Sequence, residues 1–255
     1  MRKATKICIA NQKGGVGKTT STFCLATAKA RAGKMTLMID IDPQFSLTVS
    51  CGMEPDDPGY EGNSTCSLFK KGVNPLDCCF KVASLKYDNL FIVPSSQQLA
   101  VTANKLALNS AGIFAFKENI EFLSKYFDYI FFDCPPSLDQ LLTSSLISSD
   151  KVIIPVKPEK LSYIGIDLIS DTIKAVQDDA NSKLKVAGTL VTMYRRQSVE
   201  HNKYLEIIQN DNRDLLGVIP LSTIVTKELP YGRPCVDAHP TAAPSKAYIE
   251  VANKI

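Results

Sequence analysis

Lys13-Gly14-Gly15-Val16-Gly17-Lys18-Thr19-Thr20 gathers glycines, lysines and hydroxyls directly after the apolar run Ile7-Cys8-Ile9-Ala10 and before a helix-like segment. A strand that turns through glycines into a helix aims several backbone N–H groups, and the positive end of the helix dipole, at one small volume, which is what a polyphosphate requires. Gly14, Gly15 and Gly17 let the backbone, Val16 included, wrap a ligand without Cβ clashes. In the generic phosphate loop G-x-x-x-x-G-K-[ST] the lysine reaches the β- and γ-phosphates and the next hydroxyl ligates Mg²⁺, roles that fall here to Lys18 and Thr19. Thr20 is then placed to bond the α-phosphate. The competing reading, a glycine-rich turn with no ligand, is disfavoured because glycines, lysine and threonine stand in the required order.

Acids follow at two later strand ends. Met35 to Ile39 is a short apolar run that delivers Asp40, Ile41, Asp42, Pro43 and Gln44 to the end of a strand, where α/β sheets bind ligands. Tyr129-Ile130-Phe131-Phe132-Asp133 is an apolar run closing on aspartate, the Walker B arrangement whose carboxylate holds Mg²⁺ directly or through water. A lone strand-end aspartate is more often a turn or helix cap. Together with the loop, however, Lys18, Thr19 and Asp133 form a complete phosphate-plus-magnesium set.

The elements that position these residues alternate. Strands are expected at Lys6 to Ala10, Met35 to Ile39, Leu90 to Val93, Tyr129 to Asp133, Lys151 to Val156, Val186 to Met193 and Leu215 to Ile219. Helices are expected at Thr20 to Ala32, Gln97 to Leu108, Phe114 to Tyr126, Leu141 to Ile147, Leu161 to Gln177, Ser198 to Asn210 and Ser245 to Lys254. This alternation predicts an α/β fold, a mostly parallel twisted sheet with helices on both faces. Between residues 50 and 88 the pattern weakens. Pro55, Asp56, Asp57, Pro58, Gly59, Gly62 and Asn63 form a turn-rich patch, read as a surface excursion with a short helix near Cys66 to Lys71.

At 255 residues and 45% hydrophobic, the chain suffices for one large domain spanning 1–255. The net charge of +3 permits nucleic-acid binding without arguing for it. Its eight cysteines form no C-x-x-C pair and its two histidines lie far apart, so zinc and iron–sulfur centres are poorly supported. No secretory signal or membrane-spanning run is visible, and a cytoplasmic location with reduced thiols is expected. Guanine recognition through N-K-x-D is not supported either: Asn104-Lys105, Asn202-Lys203 and Asn253-Lys254 lack the aspartate.

One departure from the generic loop is informative. Gln12 stands where glycine is usual, and a second lysine, Lys13, precedes the glycine pair. This resembles the deviant Walker A signature of the ParA/MinD family of P-loop ATPases. DIDPQ at Asp40 to Gln44, DCPPSL at Asp133 to Leu138, VIIPV at Val152 to Val156, TMY at Thr192 to Tyr194 and YGRP at Tyr231 to Pro234 look like its ParA/Soj branch. The short tail with Glu250 between Lys246 and Lys254 differs from the basic membrane helix of the MinD branch. The nitrogenase iron-protein branch requires cluster cysteines in specific loops, whereas Cys134 sits beside Asp133 as in ParA proteins.

The resemblance implies a Mg²⁺-dependent ATPase. In it Asp42 orients the attacking water, Asp40 supports the magnesium shell, Lys13 reaches the nucleotide of a partner copy, and adenine lies near Met193 and Pro220. It implies further an ATP-dependent homodimer that binds double-stranded DNA nonspecifically, associates with the nucleoid and is switched off by a ParB-type adaptor during plasmid or chromosome segregation. The family often carries arginines where this chain has Leu221 and Ile224, which leaves Arg195, Arg196, Lys203 and Lys227 as candidate DNA contacts. Two other readings stay open: a ParA-like ATPase that positions a protein cargo, and a small-molecule kinase or synthetase, for which no acceptor acid/base set is seen.

Overall fold

Ile7 and Ile9 fall on one side of the first strand and Cys8 on the other, and the same split recurs in the neighbouring strands. Met38, Phe131, Ile153 and Leu190 join one buried cluster, while Leu37, Ile39, Ile130, Phe132, Val152 and Ile154 join a second. Alternation with both faces apolar means a sheet covered on both sides. The computed structural model describes residues 3–55, 57–60, 62–211 and 214–255; Asp56 of the expected turn-rich patch lies outside them.

The chain begins with β1 (Thr5–Ile9), α1 (Lys18–Arg31), β2 (Thr36–Asp40), α2 (Ser46–Ser50), α3 (Thr65–Leu68) and β3 (Phe80–Lys81). It continues through β4 (Leu90–Val93), α4 (Gln98–Leu108), α5 (Ala111–Leu123), β5 (Tyr129–Asp133), α6 (Gln140–Ser148) and β6 (Lys151–Val156). It closes with α7 (Lys160–Asp179), β7 (Lys185–Tyr194), α8 (Val199–Asn210), β8 (Leu215–Pro220), α9 (Ile224–Lys227), α10 (Cys235–Ala238) and α11 (Ala243–Lys254). Among the described residues the strands form one sheet in the order β3-β4-β2-β5-β1-β6-β7-β8. Every pairing is parallel except β3 against β4.

β1 is central: the chain leaves it for β2 on one side and later adds β6 on the other, so the carboxyl ends of β2, β5, β1 and β6 open on a switch-point crevice. The register puts Asp40 beside Asp133 and Asp133 beside Ile9, so both strand-end acids meet under the loop that follows β1.

Three expected strands, Leu90 to Val93, Tyr129 to Asp133 and Lys151 to Val156, have the observed bounds. The helix expected from Phe114 starts earlier, at Ala111, and therefore contains Gly112. That glycine is a close-packing position: an added Cβ would lie 2.5 Å from the Leu106 side chain and 3.2 Å from the Phe69 carbonyl oxygen. The two-residue edge strand β3 and the short helices α2, α9 and α10 were not expected; they are too brief to show a period. α11 buries Tyr248, Val251 and Ala252 against α1 and β8, so its apolar stripe is used inside the fold.

Lys6, on β1, is buried and ion-paired with Glu121 of α5 at 2.6 Å and with Asp150 at 3.5 Å. Partial burial pushes the Glu121 carboxyl up, but hydrogen bonds from Lys3 and Lys6 and their charges outweigh it and bring the pKa down to about 2. A folded-state pKa below the unfolded value stabilises above the unfolded value and loses that contribution as pH falls. The melting-temperature advantage of the wild type over Glu121→Gln is therefore expected at neutral pH and should shrink between about pH 4.5 and pH 2 in thermal melts.

Candidate functional site

The loop between β1 and α1 is shaped by its glycines. Gly15 and Gly17 take positive φ angles of 69° and 84°, a region L-residues rarely adopt. Nothing lies within 4 Å of where a Cβ would stand on Gly14 or Gly15, so the concave side of the loop is open space. Gly17 caps α1 without a side-chain hydrogen bond, and no acid stands in the helix's first turn. Its leading N–H groups and dipole thus face the cavity uncompensated, an anion site by construction.

Buried polar contacts hold the loop from behind. The Asn11 amide donates to the Pro155 carbonyl at 2.7 Å, and its oxygen accepts from the Lys13 N–H at 2.8 Å. The Thr192 hydroxyl donates to the Val16 carbonyl at 2.8 Å, fixing the loop to β7. The Lys18 ammonium lies 3.2 Å from the Lys13 carbonyl and is almost fully buried. Burial lowers its pKa, with Asp133, Cys134 and Asp42 pulling it back up.

Asp133 is 1% exposed; among the described residues its Oδ2 has no hydrogen-bond partner, while its Oδ1 accepts from Thr22 at 3.2 Å. Burial first, and then the adjacent Asp40 charge, raise its pKa to about 8 against the Thr19 hydroxyl and the Lys18 ammonium. A buried, unsatisfied carboxylate oxygen is costly unless a cation or donor meets it. Among the described residues no three His, Cys, Asp or Glu side chains form a metal cage. A cation here would need oxygen ligands from a phosphate and water besides Asp133 and Thr19, which is how magnesium is held beside phosphates.

The Asp40 carboxylate is held by donors on both oxygens. Its Oδ2 accepts from the Thr48 N–H at 2.8 Å and the Thr48 hydroxyl at 2.7 Å, its Oδ1 accepts from the Asp42 N–H at 3.1 Å, and the residue is fully buried. Burial raises its pKa to about 7 against those bonds. Geometry makes it the anchor of residues 42–48. Asp42 lines a cavity together with Gly14, Gly15, Gly17, Lys18, Thr19, Thr20 and Gln44, and its Oδ1 accepts from the Gln44 N–H at 2.9 Å.

A second, largely apolar cavity adjoins the loop at Gly17 and Thr20. Its walls include Met193 and Pro220, and also Thr192, Ile219, Leu221 and Tyr248. The Tyr248 hydroxyl is 3.2 Å from the Ser21 hydroxyl of α1. No motif marks Tyr248, because it sits on α11, far along the chain from the loop it serves.

Lys13 does not line the cavity. Its ammonium donates to the Ser162 hydroxyl at 2.9 Å and lies 3.6 Å from Glu159, at the start of α7. Arg195, Arg196, Lys203 and Lys227 are all exposed. The first pair is on the turn after β7, Lys203 on α8 and Lys227 at the end of α9; the Leu221 N–H donates to the Tyr194 carbonyl at 2.8 Å, which ties the turns after β7 and β8 together. No single helix among the described residues is long and apolar enough to cross a membrane.

A family model described as AAA domain matches residues 4–186. Sporulation initiation inhibitor protein Soj of Bacillus subtilis is 31% identical over 251 residues, covering 98% of this chain and 97% of Soj. Chromosome partitioning protein ParA of Myxococcus xanthus is 32% identical over 234 residues, covering 90% of this chain and 80% of that protein. The chain belongs to the ParA/MinD family. Solved structures of similar proteins agree. A putative plasmid partition protein of Borrelia burgdorferi B31, bound to AMPPNP, superposes with a TM-score of 0.82 at 25% identity, covering 99% of this chain and 98% of that one. Cobyrinic acid a,c-diamide synthase of Mycobacterium smegmatis, bound to an ATP analogue and magnesium, does so with 0.81 at 28% identity, covering 98% and 93%.

Among the described residues of this ParA/MinD chain two non-glycine residues, Met193 with φ 54° and Phe45, take positive φ angles. Phe45, which caps α2, has φ 46° and ψ 31°, the left-handed region that suits glycine or asparagine and is unusual for a bulky side chain. It belongs to neither buried cluster. Phe45→Asn is therefore expected to raise stability by about 0.5–1 kcal/mol, read as a rise of roughly 2 °C in melting temperature.

Proposed function

We propose that this chain is an ATP-hydrolysing partition protein that dimerises on ATP, binds double-stranded DNA nonspecifically and is switched off by a ParB-type adaptor in plasmid or chromosome segregation. The observation that carries the reading is the shared cavity: Asp42 and Gln44 face the same space as the phosphate loop, beside a buried Asp133 oxygen that has no partner. The residues present fit a magnesium nucleotide. Asp133 and the Thr19 hydroxyl would hold the ion, which supplies charge neutralisation for the β- and γ-phosphates. The N–H groups of residues 14–20 and the Lys18 ammonium bind the phosphates, and the Met193 and Pro220 walls take the base. Asp42 orients a water for in-line attack on the γ-phosphate, so catalysis comes mainly from positioning and positive charge.

The parked position of Lys13, outside its own cavity and on the helix that begins at Lys160, favours a role toward a second copy. On pairing it leaves Ser162 and Glu159 and adds a cation to the partner's γ-phosphate, as an arginine finger does. Arg195, Arg196, Lys203 and Lys227 supply a basic edge for DNA phosphates. The same geometry serves an ATPase that positions a protein cargo, and DNA binding separates the two. A synthetase reading, prompted by the diamide synthase likeness, is less favoured: the titratable side chains in the cavity are Lys18 and Asp42, both already used on ATP.

Gel filtration of Asp42→Ala with ATP, with and without random duplex DNA, tests this reading. The variant is expected to lose about 10²- to 10⁴-fold in turnover yet elute as a dimer with ATP. DNA should join only that dimer, with an affinity that falls steeply as salt rises. DNA affinity equal with and without nucleotide would contradict the switch.

Lys13→Ala should elute as a monomer with ATP and lose about a thousand-fold in turnover, measured as phosphate release. A fully active monomeric Lys13→Ala would remove the cross-subunit role.

A further inference from the structure

We propose that Ser95 and Thr48 are positioning residues that set the orientation of Asp42 from outside the nucleotide cavity; this rests on the reading of Asp42 given above. Ser95 lies on the turn just beyond β4, and Thr48 in the middle of α2. Both are fully buried, and neither lines the cavity that holds Asp42. They close a ring of hydrogen bonds. The Ser95 hydroxyl donates to the Asp42 carbonyl at 2.8 Å, and the Ser95 N–H donates to the Thr48 hydroxyl oxygen at 2.9 Å. The Thr48 hydroxyl donates onward to Asp40 Oδ2 at 2.7 Å, and the Asp42 N–H returns to Asp40 Oδ1 at 3.1 Å.

The Thr48 hydroxyl spends its only proton on the Asp40 carboxylate and receives the Ser95 amide on a lone pair, so its rotamer is fixed. The peptide on either side of Asp42 is thereby gripped at both polar ends, its N–H by Asp40 and its carbonyl by Ser95. Those two holds come from neighbouring parallel strands, since Ile39 of β2 pairs with Val93 of β4. Among the described residues the carboxylate of Asp42 has no anchor beyond the Gln44 N–H of its own turn, so its aim follows its backbone.

Removing the Ser95 hydroxyl leaves a buried carbonyl without its donor, and the peptide turns to recover one. A misplacement of about 1 Å in a group that orients an attacking water costs on the order of 10²-fold in rate. Ground-state contacts to the phosphates and the base do not pass through this ring, so nucleotide affinity is insulated from it.

The test measures ATP turnover against ATP concentration, together with affinity for a nonhydrolysable ATP analogue and thermal melting. Ser95→Ala and Thr48→Val are expected to lower kcat about ten- to a hundred-fold while KM and analogue affinity stay within about two-fold. Thr48→Ser, which loses the methyl but keeps the hydroxyl, restores turnover, and a loss of packing alone would not give that pattern. If Thr48→Val does not fold, Ser95→Ala carries the test, since it removes a single oxygen and leaves Thr48 paired with Asp40. Wild-type kcat in both variants beside an inactive Asp42→Ala overturns the positioning role. A fall in kcat matched by an equal fall in analogue affinity overturns it as well. Turnover retained in Asp42→Ala overturns the reading of Asp42 itself.

Discussion

Two aspartates on neighbouring parallel strands reach the same level of the sheet and are both removed from water. Asp40 and Asp133 are in register, and neither charge is solvated. Like charges in a low-dielectric site destabilise each other unless donors or cations intervene, and the chain answers the problem differently for each. Around Asp40 it folds the segment 42–48 back so that Thr48 and Asp42 donate to the carboxylate. Around Asp133 it leaves Oδ2 without a donor and sets the buried Lys18 ammonium nearby. One carboxylate is met by donors on both oxygens, and the other keeps an oxygen with no donor among the described residues.

That division explains why the loop, the strand ends and the segment after β2 form a single arrangement. The open side of the glycine loop and the uncapped start of α1 call for an anion, the unmet Asp133 oxygen calls for a donor or cation, and a largely apolar cavity adjoins them at Gly17. The ParA/MinD relatives fit this economy of parts, because a site built from backbone amides and a few side chains leaves the surrounding surfaces free to differ.

Much of this was legible in the sequence because it is local. Apolar runs of four to six residues, closed by Pro94 after β4, by Asp133 in β5 and by Lys157-Pro158 after β6, identify these strands. The loop is contiguous, so Lys18 and Thr19 were readable as well. What was hidden depends on contacts across the chain. Gly112 reads as a helix breaker until the Leu106 side chain and the Phe69 carbonyl are seen against it. Asp40 and Asp42 are both strand-end acids, and the donors from Thr48 that saturate Asp40 could not be read from the sequence. Ser95, Thr48, Thr192 and Tyr248 are ordinary residue types in ordinary settings, and each has a partner 47 to 227 positions away. Phe45 is the reverse case: its type gives no sign of the left-handed backbone it adopts, a region that suits glycine or asparagine.

The contact between Ser21 and Tyr248 joins residues 227 positions apart, and Tyr248 also walls the cavity beside the loop. During synthesis the phosphate loop emerges early, yet the pocket beside it stays open on one side until the helix carrying Tyr248 has docked. A nascent chain therefore carries an incomplete wall beside its phosphate loop for most of its translation, and the cavity closes late, when that long-range contact forms.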